Sequence, residues 1–143
     1  SPAVRAEADV TKDEILKLQR YFQRVFGNKA IAVRTLLNKK DTAEVFAGSE
    51  SVGLITVDDE DGDRSYNVTV PIEMPSPNPN LNEAVRGKFG NEKLRVVPRP
   101  KKTDSSEIYL EDEYIAVLFR DDASGRSWTF EMAVLDFDLD PEE

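Results

Sequence analysis

The six residues Asp58-Asp59-Glu60-Asp61-Gly62-Asp63 are the part of the chain whose residue types most resemble a chemical site. Carboxylates gathered on a turn supply the oxygen ligands that a hard cation such as Ca²⁺ takes. An EF-hand loop with Gly62 at its sixth position would also need acidic residues at Val57 and Val68, where the chain has valine. We favour a solvated hairpin turn, because Asp and Gly are common turn residues. The weak metal candidates are Asp58, Asp59, Asp61 and Asp63.

A basic segment lies in the second half of the chain. It comprises Arg95, Arg99, Lys101 and Lys102, with Pro98 and Pro100 between them. This segment offers a docking site for an acidic protein partner, for the acidic tail of another copy, or for RNA. No aromatic residue for base stacking is interleaved with it. The competing interpretation, which we favour, is an edge strand that Lys and Pro protect against pairing with other chains.

The residue inventory narrows the possible chemistry. The chain has no Cys and no His, which excludes disulfides, thiolate nucleophiles, Cys/His zinc sites and imidazole catalysis. No glycine-rich phosphate loop is present, and no local spacing identifies a catalytic pair of carboxylates. Six strand aromatics are candidates for a ligand groove but are more typical of a core: Tyr66, Tyr109, Tyr114, Phe119, Trp128 and Phe130. We expect neither catalysis nor a cofactor.

The net charge and the length of the chain limit which partners and how many domains we expect. The 143 residues carry a net charge of −9, which makes nucleic-acid binding unlikely because attraction to phosphate dominates such binding. No apolar run approaches the length that a membrane helix needs, and no signal peptide is visible. We therefore expect a cytoplasmic protein that does not contact a membrane, made of one domain or two very small ones.

The chain contains a similar pattern twice, about 63 residues apart. Phe26-Gly27-Asn28 recurs as Phe89-Gly90-Asn91, and Glu44-Val45-Phe46 recurs as Glu107-Ile108-Tyr109. After a one-residue deletion, Arg64-Ser65-Tyr66 matches Arg126-Ser127-Trp128. Apolar positions stay apolar and turn glycines stay in place, so we interpret the chain as two copies of one fold.

Each copy is predicted to be one helix followed by four antiparallel strands. Thr11-Lys12-Asp13-Glu14 has the spacing of a capping box, and apolar residues at helical spacing follow as far as Phe26. The second helix, about 80–88, is shorter and carries Gly87. Lys39-Lys40-Asp41 is predicted to be a polar turn before a strand over 43–47, and the corresponding second-copy strand is predicted over 106–110. Val117-Leu118-Phe119 predicts a strand that is covered on both faces.

The prolines of Met74-Pro75-Ser76-Pro77-Asn78-Pro79-Asn80 cannot continue either element, so this stretch is the predicted linker. The predicted organisation is a flexible leader at 1–10, repeat unit 1 at 11–73, the linker at 74–80, repeat unit 2 at 81–138 and an acidic tail at 139–143. A unit of this size buries a modest core. We therefore expect an α+β fold in which the two units pack as a pseudo-twofold dimer within one compact body.

Both copies resemble a small bacterial family, the domain of unknown function 3126, found mostly in alphaproteobacteria as single units. The likeness lies in Ile15–Phe22 with Phe26-Gly27-Asn28, in Asp58–Asn67, in Val96–Lys102 with Ser106–Tyr109, in Glu113–Asp122 and in Met132–Asp136. The resemblance implies a tandem duplication or fusion. It implies no activity, cofactor or site residue, because the family brings none.

Three functions remain open from the sequence. The first is a non-catalytic protein-binding or assembly module that acts through exposed sheet edges, the basic segment or the acidic tail, with further self-association possible. The second is a small-ligand-binding protein or enzyme with a pocket between the units. The third is an acidic surface that imitates nucleic acid. We favour the first, because only the aromatic residues support the second.

Overall fold

The structure, a computed structural model, describes residues 9–60, 62–77 and 79–139. The predictions made for residues 1–8, Asp61, Asn78 and 140–143 lie outside this part of the chain. The elements in chain order are α1 Lys12–Val25, β1 Ile31–Leu36, β2 Lys39–Ala47, β3 Glu50–Asp58, β4 Ser65–Glu73, α2 Leu81–Phe89, β5 Leu94–Arg99, β6 Lys102–Leu110, β7 Glu113–Arg120, β8 Ser127–Leu135 and a short 3₁₀ helix, Asp136–Leu139.

The eight strands form one antiparallel sheet in the order β1-β2-β3-β4-β8-β7-β6-β5. The order runs through the first repeat and then in reverse through the second, so β1 and β5 are the edge strands. This confirms the α+β class, the two helix-plus-meander repeats and the single sheet. The edge strand β5 carries Arg95, Pro98 and Arg99 of the basic segment, whereas Lys101 lies in the turn and Lys102 opens β6.

Contacts divide the chain into two compact units. Among the described residues, the first unit consists of those up to Val68 together with those from Ala133 to Leu139, and the second lies within Thr69–Met132. In the described part of the chain, neither helix has the length and apolar character needed to cross a membrane.

In the first unit, α1 packs on β1 and supplies the apolar layer over the strands. The predicted capping box is present: the Glu14 N–H donates to Thr11 Oγ1 at 3.1 Å, and the Thr11 N–H donates to Glu14 Oε1 at 2.8 Å. Reciprocal bonds of this kind satisfy amides that have no partner within the helix. The helix then buries Ile15, Leu18 and Phe22 along one face, as its apolar spacing predicts.

In the second unit, the shorter α2 packs on β5 and buries Val85 and Phe89. The Phe89 ring lies 4.6 Å from that of Phe130 on β8, centroid to centroid. Both helices end at a glycine with positive φ, Gly27 at 56° and Gly90 at 65°. This left-handed conformation costs an L side chain free energy, which explains why Phe-Gly-Asn closes the helix in both repeats.

The starts predicted for two strands were wrong. The turn expected at Lys39-Lys40-Asp41 lies at Leu37-Asn38, because Leu36 pairs directly with Lys39 and the lysines open β2. The strand expected to begin at Ser106 likewise begins at Lys102, which pairs with Arg99. The cover expected on both faces of Val117-Leu118-Phe119 is only partial on one of them: Leu118 is fully buried, whereas the residues on either side of it are half-buried.

Candidate interaction surface

Strand register places a set of apolar side chains together on one face of the second unit. Val97 lies opposite Glu107, and Glu107 lies opposite Val117 on the next strand. Phe119, two residues beyond Val117, lies opposite Ser105 and Thr129. Because successive side chains of a strand point to opposite faces, these residues share the face that is opposite to buried Leu118. We call this side of the sheet the open face.

The open face of the second unit carries more apolar surface than is usual for the solvated face of a sheet. Val97, Tyr109, Val117 and Phe119 are half-buried, and the Tyr114 side chain is 51% exposed. Antiparallel sheets with one solvated face normally place polar residues there. Glu107 lies between Val97 and Val117 on this face, so the surface mixes apolar, aromatic and acidic side chains, as protein interfaces commonly do.

The first repeat provides an internal comparison, because its strands have the same register. At the 63-residue offset, Val97, Tyr114 and Phe119 correspond to Arg34, Ser51 and Thr56, all of which are exposed. Tyr109 and Val117 correspond to Phe46 and Leu54. Two positions are therefore apolar in both repeats, and three are apolar only in the second. The common fold does not require apolar residues at those three positions.

At one end of the open face, Arg95 and two tyrosines form a packed group. The Arg95 guanidinium lies 5.3 Å from the Tyr109 ring centroid and donates to the Glu111 carbonyl at 2.8 Å. The Tyr109 and Tyr114 rings lie 5.9 Å apart. The Tyr109 hydroxyl donates to Glu107 Oε1 at 3.1 Å, and this bond raises the pKa of Tyr109 because it favours the protonated phenol.

The four basic residues that the sequence singled out do not form one cluster. Arg99 donates to Ser105 Oγ at 3.1 Å near the end of β5, and Lys101 and Lys102 are exposed at the turn into β6. Arg95 lies near the opposite end of the strand, roughly 13 Å from Arg99 at the ordinary rise of a β-strand. The basic residues therefore border the open face at two separate points.

Both edge strands have backbone groups bonded by side chains of the neighbouring helix. On β1, the Val33 N–H donates to Gln19 Oε1 at 3.0 Å, and Gln23 Nε2 donates to the Ile31 carbonyl at 2.9 Å.

Residues at the 63-residue offset repeat this pattern on β5. The Val96 N–H donates to Asn82 Oδ1 at 2.8 Å, and Arg86 Nε donates to the Leu94 carbonyl at 2.7 Å. Sequence reasoning missed these four helix residues. The available signal was a polar pair, four residues apart, on the same side of both helices.

The acidic loop belongs to an ionic network in the first unit. Asp59 Oδ2 lies 3.1 Å from Arg64 Nη1, and Asp58 Oδ1 accepts from the Glu60 N–H at 3.0 Å. Asp63 is exposed, and Asp61 lies outside the described residues. Within the described ranges, no three Asp or Glu residues are grouped so that they would hold a metal ion. The carboxylates of Asp58 and Asp59 therefore bond to the protein itself.

Glu14 and Arg64 form the centre of this network. Arg64 Nη2 donates to Glu14 Oε1 at 3.0 Å and to the Asp9 carbonyl at 2.7 Å. The Tyr66 hydroxyl donates to Glu14 Oε2 and lies 3.1 Å from Asp136 Oδ1. Burial alone raises the pKa of Glu14, but the hydrogen bonds from Arg64, Tyr66 and the Thr11 backbone outweigh it and lower the pKa to about 2.

A half-open cavity of about 440 Å³ lies beside this network, lined by Gly62, Asp63, Arg64, Leu135, Asp136 and Phe137. Its volume falls within the range of small-molecule sites. Arg64, however, already binds Glu14 and Asp59, and Tyr66 already binds Glu14. Burial and its bond to Glu14 also raise the pKa of Tyr66 well above its usual value. Arg64 and Tyr66 are therefore bonded to carboxylates of the protein itself.

The chain is thus a duplicated α+β protein. It has two helix-plus-meander repeats, an open sheet face, and two edge strands that are bonded by helix side chains. A family model described as Protein of unknown function (DUF3126) matches residues 14–75 and again residues 80–138. The chain belongs to this family and contains its domain twice. Comparison with curated proteins and with solved structures found no match.

Proposed function

We propose that this protein is a non-catalytic protein-binding module and that its binding surface is the open face of the second unit. The observation that carries the proposal is the difference between the repeats at three equivalent positions. Val97, Tyr114 and Phe119 replace Arg34, Ser51 and Thr56 on strands of the same register. Aromatic residues are enriched in protein interfaces because they bury a large area.

The chemistry of the surface indicates the kind of partner. Val97, Val117 and Phe119, with Glu107 between the two valines, form a partly apolar strip that fits apolar side chains of another protein. Arg99, Lys101 and Lys102 border one end of the strip, and neither lysine makes an ion pair with any described residue. The proposed partner is therefore a protein with an acidic segment next to an apolar one. Opposite charges at such a rim mainly raise the association rate. We place this activity in the cytoplasm, since a chain without cysteine has no need of an oxidising compartment.

Matched lysine substitutions on the two open faces test the proposal. The full chain is used as bait in a cell lysate, alongside Phe119→Lys and the control Thr56→Lys, and the captured proteins are quantified by mass spectrometry. We expect Phe119→Lys to lose at least about tenfold of the specifically captured protein, as removal of an interface anchor does. Thr56→Lys should retain it, and melting curves should show that both variants are folded.

Capture that is equal for all three baits would contradict the proposal. A thermal-shift screen of the full chain against metabolites and divalent metals tests the alternative of a small-ligand site, because a ligand specific for the native state raises Tm. A reproducible shift that Phe119→Lys leaves intact would favour that alternative.

A further inference from the structure

A row of side chains crosses the open face of the second unit, one from each strand. Val97, Glu107, Val117 and Glu131 lie opposite one another in turn on β5, β6, β7 and β8. Glu107 is half-buried between the two valines, whereas Glu131, on the other side of Val117, is exposed. The row therefore places a carboxylate in the middle of the proposed binding surface, next to apolar side chains.

The first repeat has the same carboxylate with a different neighbour. Glu44, which corresponds to Glu107, lies opposite Arg34 on β1. The Arg34 guanidinium lies 4.6 Å from the centroid of the Phe46 ring, so this cation lies over the sheet face beside Glu44. In the second repeat Val97 stands at the position of Arg34. The second repeat has thus lost the cation opposite the glutamate and kept the negative charge.

The other neighbours of Glu107 do not replace that cation. Its carboxylate accepts from the Tyr109 hydroxyl at 3.1 Å, and it makes no ion pair with any described residue. The two arginines of β5 bond to other groups, Arg95 to a backbone carbonyl and Arg99 to the Ser105 hydroxyl. The hydrogen bond that Glu107 does have therefore comes from a neutral group.

We propose that the open face of the second unit binds a protein segment that carries Lys or Arg among apolar residues, and that Glu107 recognises this cation. The inference rests on the proposed function, because a partner must cover the open face. A partner with apolar side chains alone would remove water from the Glu107 carboxylate and leave its charge without compensation, which is unfavourable. A Lys or Arg of the partner can lay its apolar stem along the valines while its charged end reaches the carboxylate.

Selection from a library of random displayed peptides on the full chain tests the inference. Peptides that bind the wild type but not Phe119→Lys are kept, because their binding depends on the open face. We expect these peptides to be enriched in Lys or Arg between apolar residues. A synthetic peptide of this class should bind Glu107→Gln at least about tenfold more weakly than the wild type, because an interfacial charge pair is lost.

The variants isolate the charge. Gln keeps the size of Glu107 and an acceptor for the Tyr109 hydroxyl, and melting curves check that Glu107→Gln is folded. Glu44→Gln, the matched change in the first repeat, should bind the peptide as the wild type does. A peptide in which Met replaces the basic residue should bind the wild type and Glu107→Gln equally, since the charge pair that separates them is absent.

Two results would overturn the inference and leave the proposed function standing. One is a set of peptides that depend on Phe119 but have no excess of Lys or Arg. The other is a basic peptide of this set that binds Glu107→Gln as tightly as the wild type. If no selected peptide depends on Phe119, the proposed function fails and the inference fails with it.

Discussion

Tyr66 on β4 and Trp128 on β8 occupy equivalent positions in the two repeats, yet different interactions surround them. The Tyr66 hydroxyl lies within the ionic network of Glu14, Arg64 and Asp136. The Trp128 indole N–H instead donates to the Gly125 carbonyl at 3.0 Å. One repeat satisfies its buried aromatic donor with charged side chains, and the other satisfies it with backbone.

The lengths of the two helices explain this difference. At the 63-residue offset, Glu14 corresponds to Pro77 in the linker, because α2 begins at Leu81, which corresponds to Leu18 of α1. The second repeat thus lacks the first turn of the helix, which supplies the carboxylate. The linker occupies the equivalent space and approaches Gly125 closely: a Cβ added at Gly125 would lie 2.5 Å from the Pro77 carbonyl oxygen. The two repeats therefore share a fold but bond the equivalent buried aromatic residue in different ways, by carboxylates in the first repeat and by backbone in the second.

The largest effect that this comparison predicts is at Gly125. Gly125→Ala places a methyl group against the Pro77 backbone at a φ of 72°, and we expect it to cost about 3 to 5 kcal/mol of unfolding free energy. Gly62, the equivalent glycine, has a φ of 80° and no atom within 4 Å of an added Cβ, so Gly62→Ala should cost only about 1 kcal/mol. Urea denaturation of both variants checks the order. Equal losses would contradict close linker packing in the second repeat.

The smallest effect concerns the helix caps, which the two repeats share. The Glu14 N–H donates to Thr11 Oγ1, and the Glu83 N–H donates to Asn80 Oδ1 at the same distance of 3.1 Å. Thr11→Ala and Asn80→Ala should each cost about 1 kcal/mol, the usual worth of such a cap. Thermal unfolding measures both. A cap whose removal has no effect would mean that its helix start contributes nothing to stability.

The sequence predicted the parts of the fold that depend on local chemistry. The capping box at Thr11 and the closing glycine Gly27 act within a few residues, and α1 lies within one residue of its predicted end. The starts of β2 and β6 were misplaced because Lys39 and Lys102 are exposed strand residues at hairpins, where solvation conceals the strand pattern. Propensity is a weak guide at such positions.

The candidate surface was predictable only in part. The sequence predicted that Val117 and Phe119 lie on a strand covered on both faces, but their half-exposure depends on what covers the sheet, which local pattern does not specify. The bond between Glu14 and Arg64 joins residues 50 positions apart. Such a contact follows from topology, and sequence spacing gives no sign of it.

The ionic network makes a stability prediction with a definite sign. Glu14 has a folded pKa of about 2 against an ordinary 4.5, so its ionised form is stabilised in the native state. A carboxylate with a lowered pKa contributes stability above its unfolded pKa and loses that contribution as pH falls through its folded pKa. We expect the contribution, about 3 kcal/mol, to disappear between about pH 5 and pH 2. Glu14→Gln should lack this part of the pH dependence.

The most direct test is to measure the unfolding free energy as a function of pH for wild type, Glu14→Gln and Glu83→Gln. It tests the claim that, of the two repeats as the structure describes them, only the first uses ionised side chains to bond its buried aromatic residue. Glu83 is the matched control because it occupies the same third helical position in α2 and is exposed. The account predicts that wild type and Glu83→Gln lose stability in parallel below pH 5, while Glu14→Gln, already less stable at neutral pH, converges with them near pH 2. Parallel curves for all three proteins would contradict it.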